Sequence, residues 1–168
     1  MKKTIITCAA ALTILISCGD KKKSSSDTGA TSKETADLSE DESDNKTATF
    51  TVDGTDFKGK VSTQHFANEG FSVLCQQNEP YALLQAIFTN EKEAHGTTTF
   101  KPAESFYSVP AGEVNIALSG TAVGDKQFNT TDASTGTISV DGKKLILKDL
   151  KLFNSEKQEK VVNTTIPF

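Results

Sequence analysis

The sequence predicts an all-β domain over residues 48–168, an antiparallel β-sandwich or small barrel of about eight or nine strands. From Ala48 onward apolar and polar residues alternate at period two, the pattern of strands with one dry face. Two Val-Asp-Gly triplets, Val52-Asp53-Gly54 and Val140-Asp141-Gly142, stand between alternating runs, where a tight hairpin needs residues that accept positive φ. Turn residues recur at short spacing as far as Phe168.

Phe50 and Val52 lead into Asp53-Gly54, and pairing across a type I′ turn sets Phe50 opposite Phe57. Val61 shares the parity of Phe57, and so does His65 unless Gly59 introduces a bulge. Phe71, Val73 and Cys75 alternate with Ser72, Leu74 and Gln76, which turns Cys75 inward as a small hydrophobe. Asn78-Glu79-Pro80 makes a turn. The run from Tyr81 to Thr89 is apolar on both parities, as in a fully buried strand or a helix opened by Pro80; the period-two surroundings favour the strand. Residues 91–99 are polar, and 100–110 hold two prolines with the pair Phe106-Tyr107. Both read as loops, with at most a short strand around Phe106.

Val114, Ile116 and Leu118 form a strand with one wet face, and Gly124-Asp125 a turn. Ile138 and Val140 approach the hairpin at Asp141-Gly142, and Leu145 and Leu147 return with matching parity. Leu150 and Leu152 are out of phase with that pair. A strand cannot move its apolar set to the other parity without an extra residue, so Lys148-Asp149 is expected to bulge. After a polar turn over 155–160, Val162, Thr164, Ile166 and Phe168 close the domain on a strand that lies at an edge or ends at Pro167.

Ahead of this domain the composition changes. Residues 19–47 are dominated by Lys, Ser, Thr, Asp and Glu with a single Leu38, too little apolar surface to offset the entropy of ordering. They read as a tether, about 30 Å root-mean-square when treated as a flexible coil. Before it, Lys2 and Lys3 precede a mostly apolar run from Ile5 to Ile16 and a small residue before Cys18. That run is a secretory leader, too short to span a bilayer.

At Leu15-Ile16-Ser17-Cys18 the chain resembles the bacterial lipoprotein family, whose lipobox has this form. The resemblance implies that residues 1–17 are removed as a signal peptide and that Cys18 carries diacylglycerol, with its new amino group acylated as well by palmitate or a similar chain. It implies a membrane partner held through lipid, together with the lipoprotein-processing enzymes. Two or more acyl chains make such attachment stable, at about 0.8 kcal/mol per buried methylene. Gly19, in place of the aspartate that retains enteric lipoproteins at the inner membrane, implies an outer-membrane location. The C-terminal third, with Gly136-Thr137-Ile138 and the strand from Leu145 to Phe153, is similar to small β-rich lipoprotein domains of unknown function from Bacteroidota-type bacteria, which implies an all-β fold and no functional residue.

All eighteen basic residues are lysine. Loss of Lys2 and Lys3 leaves sixteen lysines against twenty-two acids, a net charge of −6. An acidic chain without arginine lacks the cationic contacts that nucleic acid requires, so none is expected as a partner. Of three cysteines, Cys8 leaves with the leader and Cys18 takes lipid, so Cys75 has no disulfide partner within the mature chain.

Catalytic motifs are missing: no G-x-S-x-G elbow, no phosphate-cradling glycine loop, and only His65 and His95 as candidate bases. Glu91, Glu93 and His95 come nearest to a constellation. Their alternate spacing would put them on one side of an extended segment, with zinc favoured over calcium if His95 binds. In a wet loop they are expected to hold no metal, and no cofactor is implied. Phe100, Phe106 and Tyr107 read as aromatics plugging one end of the fold, or as a binding surface. The expected function is a lipid-anchored, non-catalytic β domain that binds or scaffolds a protein, glycan or apolar ligand. The alternative is a carrier barrel enclosing a small apolar ligand, which calls for an interior cavity.

Overall fold

The computed structural model describes residues 46–67, 69–96 and 98–168. The leader expected over 1–17, the lipidation expected at Cys18 and the tether expected from residue 19 lie, as far as residue 45, outside the described residues.

Among the described residues ten strands follow in order: β1 Thr47–Val52, β2 Thr55–His65, β3 Phe71–Gln77, β4 Ala82–Phe88, β5 Thr98–Pro102, β6 Glu113–Ser119, β7 Phe128–Asn129, β8 Thr137–Val140, β9 Lys144–Phe153 and β10 Glu159–Pro167. Nine of them close into a barrel in the order β10-β1-β2-β3-β4-β6-β5-β8-β9, sealed by pairing of β9 with β10. Strand directions cannot alternate all the way round a ring of odd number, so one neighbouring pair must be parallel. That pair is β5 and β6, which overlap only at Lys101 opposite Glu113 and Pro102 opposite Val114. The short β7 is the extra strand, bridging β6 to β9. Closure leaves the ring no free edge to template aggregation.

The alternation read from the sequence becomes the inside and outside of this barrel. Phe50, Phe71, Phe88, Leu84, Ile116 and Leu147 are among the fully buried side chains that fill it. Phe50 stands opposite Phe57 as expected, their rings stacked at 5.3 Å across a turn in which Asp53 and Gly54 take φ of 50° and 82°. Val61 is buried on the same parity, and β2 runs unbroken past Gly59 to His65. Within the run from Tyr81 to Thr89, Ala82–Phe88 resolves as strand, β4, paired with β3 and β6. Ile87 stays buried although it points outward, which explains the apolar content of both parities.

The expected bulge in β9 is present. Val162 pairs with Leu150 and Thr164 with Leu147, so Lys148 and Asp149 together face Asn163. Asp149 turns to φ 48° and donates its N–H to Asn163 Oδ1 at 2.8 Å. The second hairpin turns one residue later than the sequence suggests. Asp141 and Lys144 exchange N–H···O bonds of 3.0 and 3.2 Å, leaving Gly142-Lys143 as the loop. Gly142, at φ 60°, takes the first central position, where a type II′ turn wants glycine. A one-residue shift of the loop moves the register by two, so each side chain keeps its face: Ile138 meets Leu147 and Val140 meets Leu145.

Two expected loops need correction. Residues 91–99 contain a single helical turn, α1 Glu91–Ala94, capped by Asn90, whose Oδ1 accepts the Glu93 N–H at 3.0 Å. Asn90 followed at the third position by Glu93 is half of a capping box, a local signal stronger than the polar composition around it. Residues 98–102 form β5, which turns Phe100 inward to meet Phe88 edge-on at 5.3 Å, and no strand forms at Phe106.

Between β6 and β9 the ring is filled by β5 and β8 at one end and by β7 at the other. Buried polar side chains join the two fillings. Thr130 Oγ1 donates to Ala103 O at 2.6 Å and accepts from Ile116 N at 3.1 Å, and the Asn115 amide donates to Ala103 O, Glu104 O and Thr130 Oγ1. Asn115 and Thr130 are completely buried.

Candidate functional site

Three of the large aromatic side chains left outside the barrel gather in one place. Among the described residues four large hydrophobics are exposed, and Phe66, Phe106 and Tyr107, exposed by 38, 45 and 78 %, line a single half-open groove of about 600 Å³. The fourth, Tyr81, lies elsewhere.

Three segments build it. Phe66 is carried by the β2–β3 connection, held tight by Phe66 N to Gly70 O at 2.8 Å and Glu69 N to Phe66 O at 3.1 Å. The floor is the outer wall of β4, from which Gln85 and Ile87 project. The far side is the connection 103–112, which carries Phe106, Tyr107, Ser108 and Val109. It is fastened down by Thr89 Oγ1 to Val109 O at 2.9 Å and by Gly112 N to Glu93 Oε2 at 3.2 Å. The Phe106 and Tyr107 ring centroids are 3.8 Å apart. No ionisable acid or base lines the groove apart from the phenol of Tyr107. A second hollow of about 590 Å³, on the other side of Ser108, is lined by Glu104, Glu113, Asp132 and Lys101.

The sequence-derived candidates are placed differently from expectation. Glu91, Glu93 and His95 do not share one side of an extended segment, because α1 intervenes. Glu91 and His95 are one helical turn apart, with Glu91 Oε1 3.1 Å from His95 Nε2, while Glu93 is directed to the Gly112 amide. His65 comes to the same carboxylate, Nε2 to Oε2 at 3.8 Å. His95 is packed, not free in a wet loop: its ring lies 5.6 Å from Phe168 and 5.9 Å from Phe71. Its Nδ1 is buried without a hydrogen-bond partner. A metal at Nε2 would drive the ring proton to Nδ1, where it would find no acceptor, whereas a metal-bound histidine ordinarily donates that proton to one. No group of three His, Cys, Asp or Glu side chains among the described residues is arranged to hold a metal ion.

Cys75 points inward as expected, its Sγ donating to Ala48 O at 3.6 Å. Burial pushes this thiol above its ordinary pKa, more than the backbone contacts from Gly59 and Ala48 pull it down. A nucleophile needs the opposite environment. At the far end of the barrel, burial pushes the Asp53 carboxyl up, but the Lys160 ammonium at 2.7 Å and the Val161 N–H at 2.9 Å together outweigh it and hold the pKa below its ordinary value.

Of the aromatic trio read from the sequence, Phe100 plugs the interior while Phe106 and Tyr107 stay on the surface. Phe66 and Gln85 were not legible as site residues, since no local pattern links them to residues twenty to forty positions away. The fold and groove define a closed β-barrel with an aromatic-lipped cleft on its outer wall. No family model, curated protein or solved structure matches this chain.

Proposed function

We propose that this chain is an outer-membrane lipoprotein, anchored through Cys18, whose barrel is a non-catalytic binding module with the outer-wall groove as its site. The observation that carries the reading is the convergence of Phe66, Phe106 and Tyr107 on one concavity, at a volume typical of small-molecule sites. Scattered exposed aromatics are ordinary, but a grouped set around a cleft is the usual mark of a binding surface. The barrel axis is occupied by Phe50, Phe71, Phe88, Leu84, Leu118 and the leucines of β9. A carried ligand would therefore sit on the wall, in this groove, in place of the lumen a carrier barrel ordinarily uses. The absence of a base beside a nucleophile in the sequence motifs supports a binding role over catalysis.

The neutral dye N-phenyl-1-naphthylamine tests the site. Its fluorescence should rise on titration with the protein and fall back with Phe106→Ala or Tyr107→Ala; a rise untouched by either substitution refutes the assignment. For the anchor, the membrane fraction should yield a chain beginning at Cys18 with diacylglycerol and an amide-linked acyl group by intact mass. A Cys18→Ala chain that still partitions wholly into membrane would contradict it.

A further inference from the structure

We infer that the groove between Phe66 and Phe106-Tyr107 takes a neutral carbohydrate, an inference that rests on the groove being the binding site. The lining selects the ligand by exclusion. A charged ligand would leave water without a counter-charge, because no Lys, Asp, Glu or His stands among the lining residues Phe66, Gln85, Ile87, Thr89, Tyr107 and Ser108 or their neighbours in the groove. A wholly apolar ligand would cover the Gln85 amide and the Ser108 hydroxyl, neither of which is hydrogen-bonded to the described residues through its side chain. A sugar ring meets both demands. Its axial C–H face is apolar and packs on an aromatic face, whose quadrupole is negative, while its rim of hydroxyls donates to and accepts from amide and hydroxyl groups.

The geometry is divided in the same way. Tyr107, 78 % exposed, and Phe106, 45 % exposed, lean on each other at one lip with the remaining ring surface open, and Phe66 presents another ring across the groove. The Gln85 amide, with two donors and an acceptor, lies on the floor between them. Thr89 is already committed to Val109, so it holds the lip in position. A bilayer surface fits less well, because the aromatics line a concavity with a polar floor in place of a convex apolar tip.

The test uses the purified whole chain with cellotriose, maltotriose, mannotriose and N,N′,N″-triacetylchitotriose, read by saturation-transfer NMR and calorimetry. At least one should bind with Kd below about 1 mM. Tyr107→Ala and Gln85→Ala should each weaken it by about tenfold or more, while Tyr81→Ala, outside the groove, leaves it unchanged. All these positions are exposed or half-exposed, and matching circular dichroism melts confirm the fold. Absence of binding by all four sugars, or binding indifferent to Tyr107→Ala, overturns the inference. Binding of decanoate or phosphatidylcholine vesicles through the same side chains, without sugar binding, also overturns it. If N-phenyl-1-naphthylamine still occupies the groove, the carbohydrate assignment alone falls; if neither dye nor sugar binds, the binding-module reading falls with it.

Discussion

Thr130 is where the barrel's stability should depend on one oxygen atom. Ile116 directs both its N–H and its C=O away from β4, and no full-length strand meets them: Thr130 N donates to Ile116 O at 2.9 Å, and Thr130 Oγ1 accepts from Ile116 N at 3.1 Å. The hydroxyl therefore supplies one rung of a ladder. Thr130→Val keeps the branched shape and removes that rung. Ile116 N–H would be left orphaned in the core, costing about 1–3 kcal/mol. Ala103 O would lose one of two donors but keep the Asn115 amide at 2.9 Å, and that amide would keep Ala103 O and Glu104 O. The sum is about 2–3 kcal/mol. Thr130→Ser keeps the hydroxyl and deletes one methyl group, which costs about 1 kcal/mol.

The pair of variants separates shape from hydrogen bonding, because valine preserves the first and serine the second. With no tryptophan in the chain, urea unfolding is best followed by far-ultraviolet circular dichroism. The valine variant should be less stable than the serine variant by about 1–2 kcal/mol, a midpoint shift on the order of 1 M urea or less. A valine variant within about 0.5 kcal/mol of the parent, or less destabilised than serine, would refute the account of the seam.

Gly136→Ala should destabilise by about 3 kcal/mol or more in the same assay, since φ is 113° and a Cβ would lie 2.4 Å from Asp149 O, a backbone atom that cannot swing aside. Asp53→Asn should cost under about 1 kcal/mol at neutral pH, because the Lys160 pair is partly exposed. The folded carboxyl has a lowered pKa, so its contribution is present above the ordinary carboxylate range and lost as pH falls through the folded value; the parent and Asp53→Asn unfolding curves should converge in acid. The Cys75 thiol should resist Ellman's reagent until the protein unfolds, and because its pKa is raised, stability should fall as pH rises through that value, with a flatter profile in Cys75→Ala. His95→Ala should cost about 1–2 kcal/mol by melting, from the packing it loses on Phe71 and Phe168, while Glu91→Ala stays within about 0.5 kcal/mol.

What the sequence disclosed was what depends on neighbours in the chain. The Phe50–Phe57 pairing, the inward Cys75, the strand over Tyr81–Thr89 and the bulge at Lys148-Asp149 all follow from parity and turn residues within about ten positions. The second hairpin moved by one residue because Gly142 serves either central position of a tight turn. For α1 the signal was present but slight, since Asn90 with Glu93 specifies only one turn. β5 had no comparable signal. Thr98 to Pro102 carries one inward apolar residue, Phe100, and its parallel partner gives it two residue pairs. Sandwich and barrel could not be separated for the same reason, as closure passes through β5. The groove was least legible, because Phe66, Gln85 and Phe106 meet only once β3 has paired with β4 and the connection 103–112 has been pinned to Thr89.

That connection ties the topology to the site. An odd ring requires a parallel pair, and parallel neighbours cannot be joined by a tight hairpin, so the chain must travel back outside the barrel between β5 and β6. The overlap of those strands is only two residue pairs, so residues 103–112 suffice for the return. They cross to the outer wall of β4, where Ile87 needs cover, and the hydrogen bond from Thr89 to Val109 holds them there. Val109 and Ile87 both line the hollow that results. Phe106 and Tyr107, three and two residues nearer β5 than Val109, overhang the wall without closing against Phe66, and the gap between them is the groove. The groove is thus a consequence of how the ring closes: a variant with 103–112 shortened to a tight link would lose the parallel register, the cover over Ile87 and the aromatic lip together.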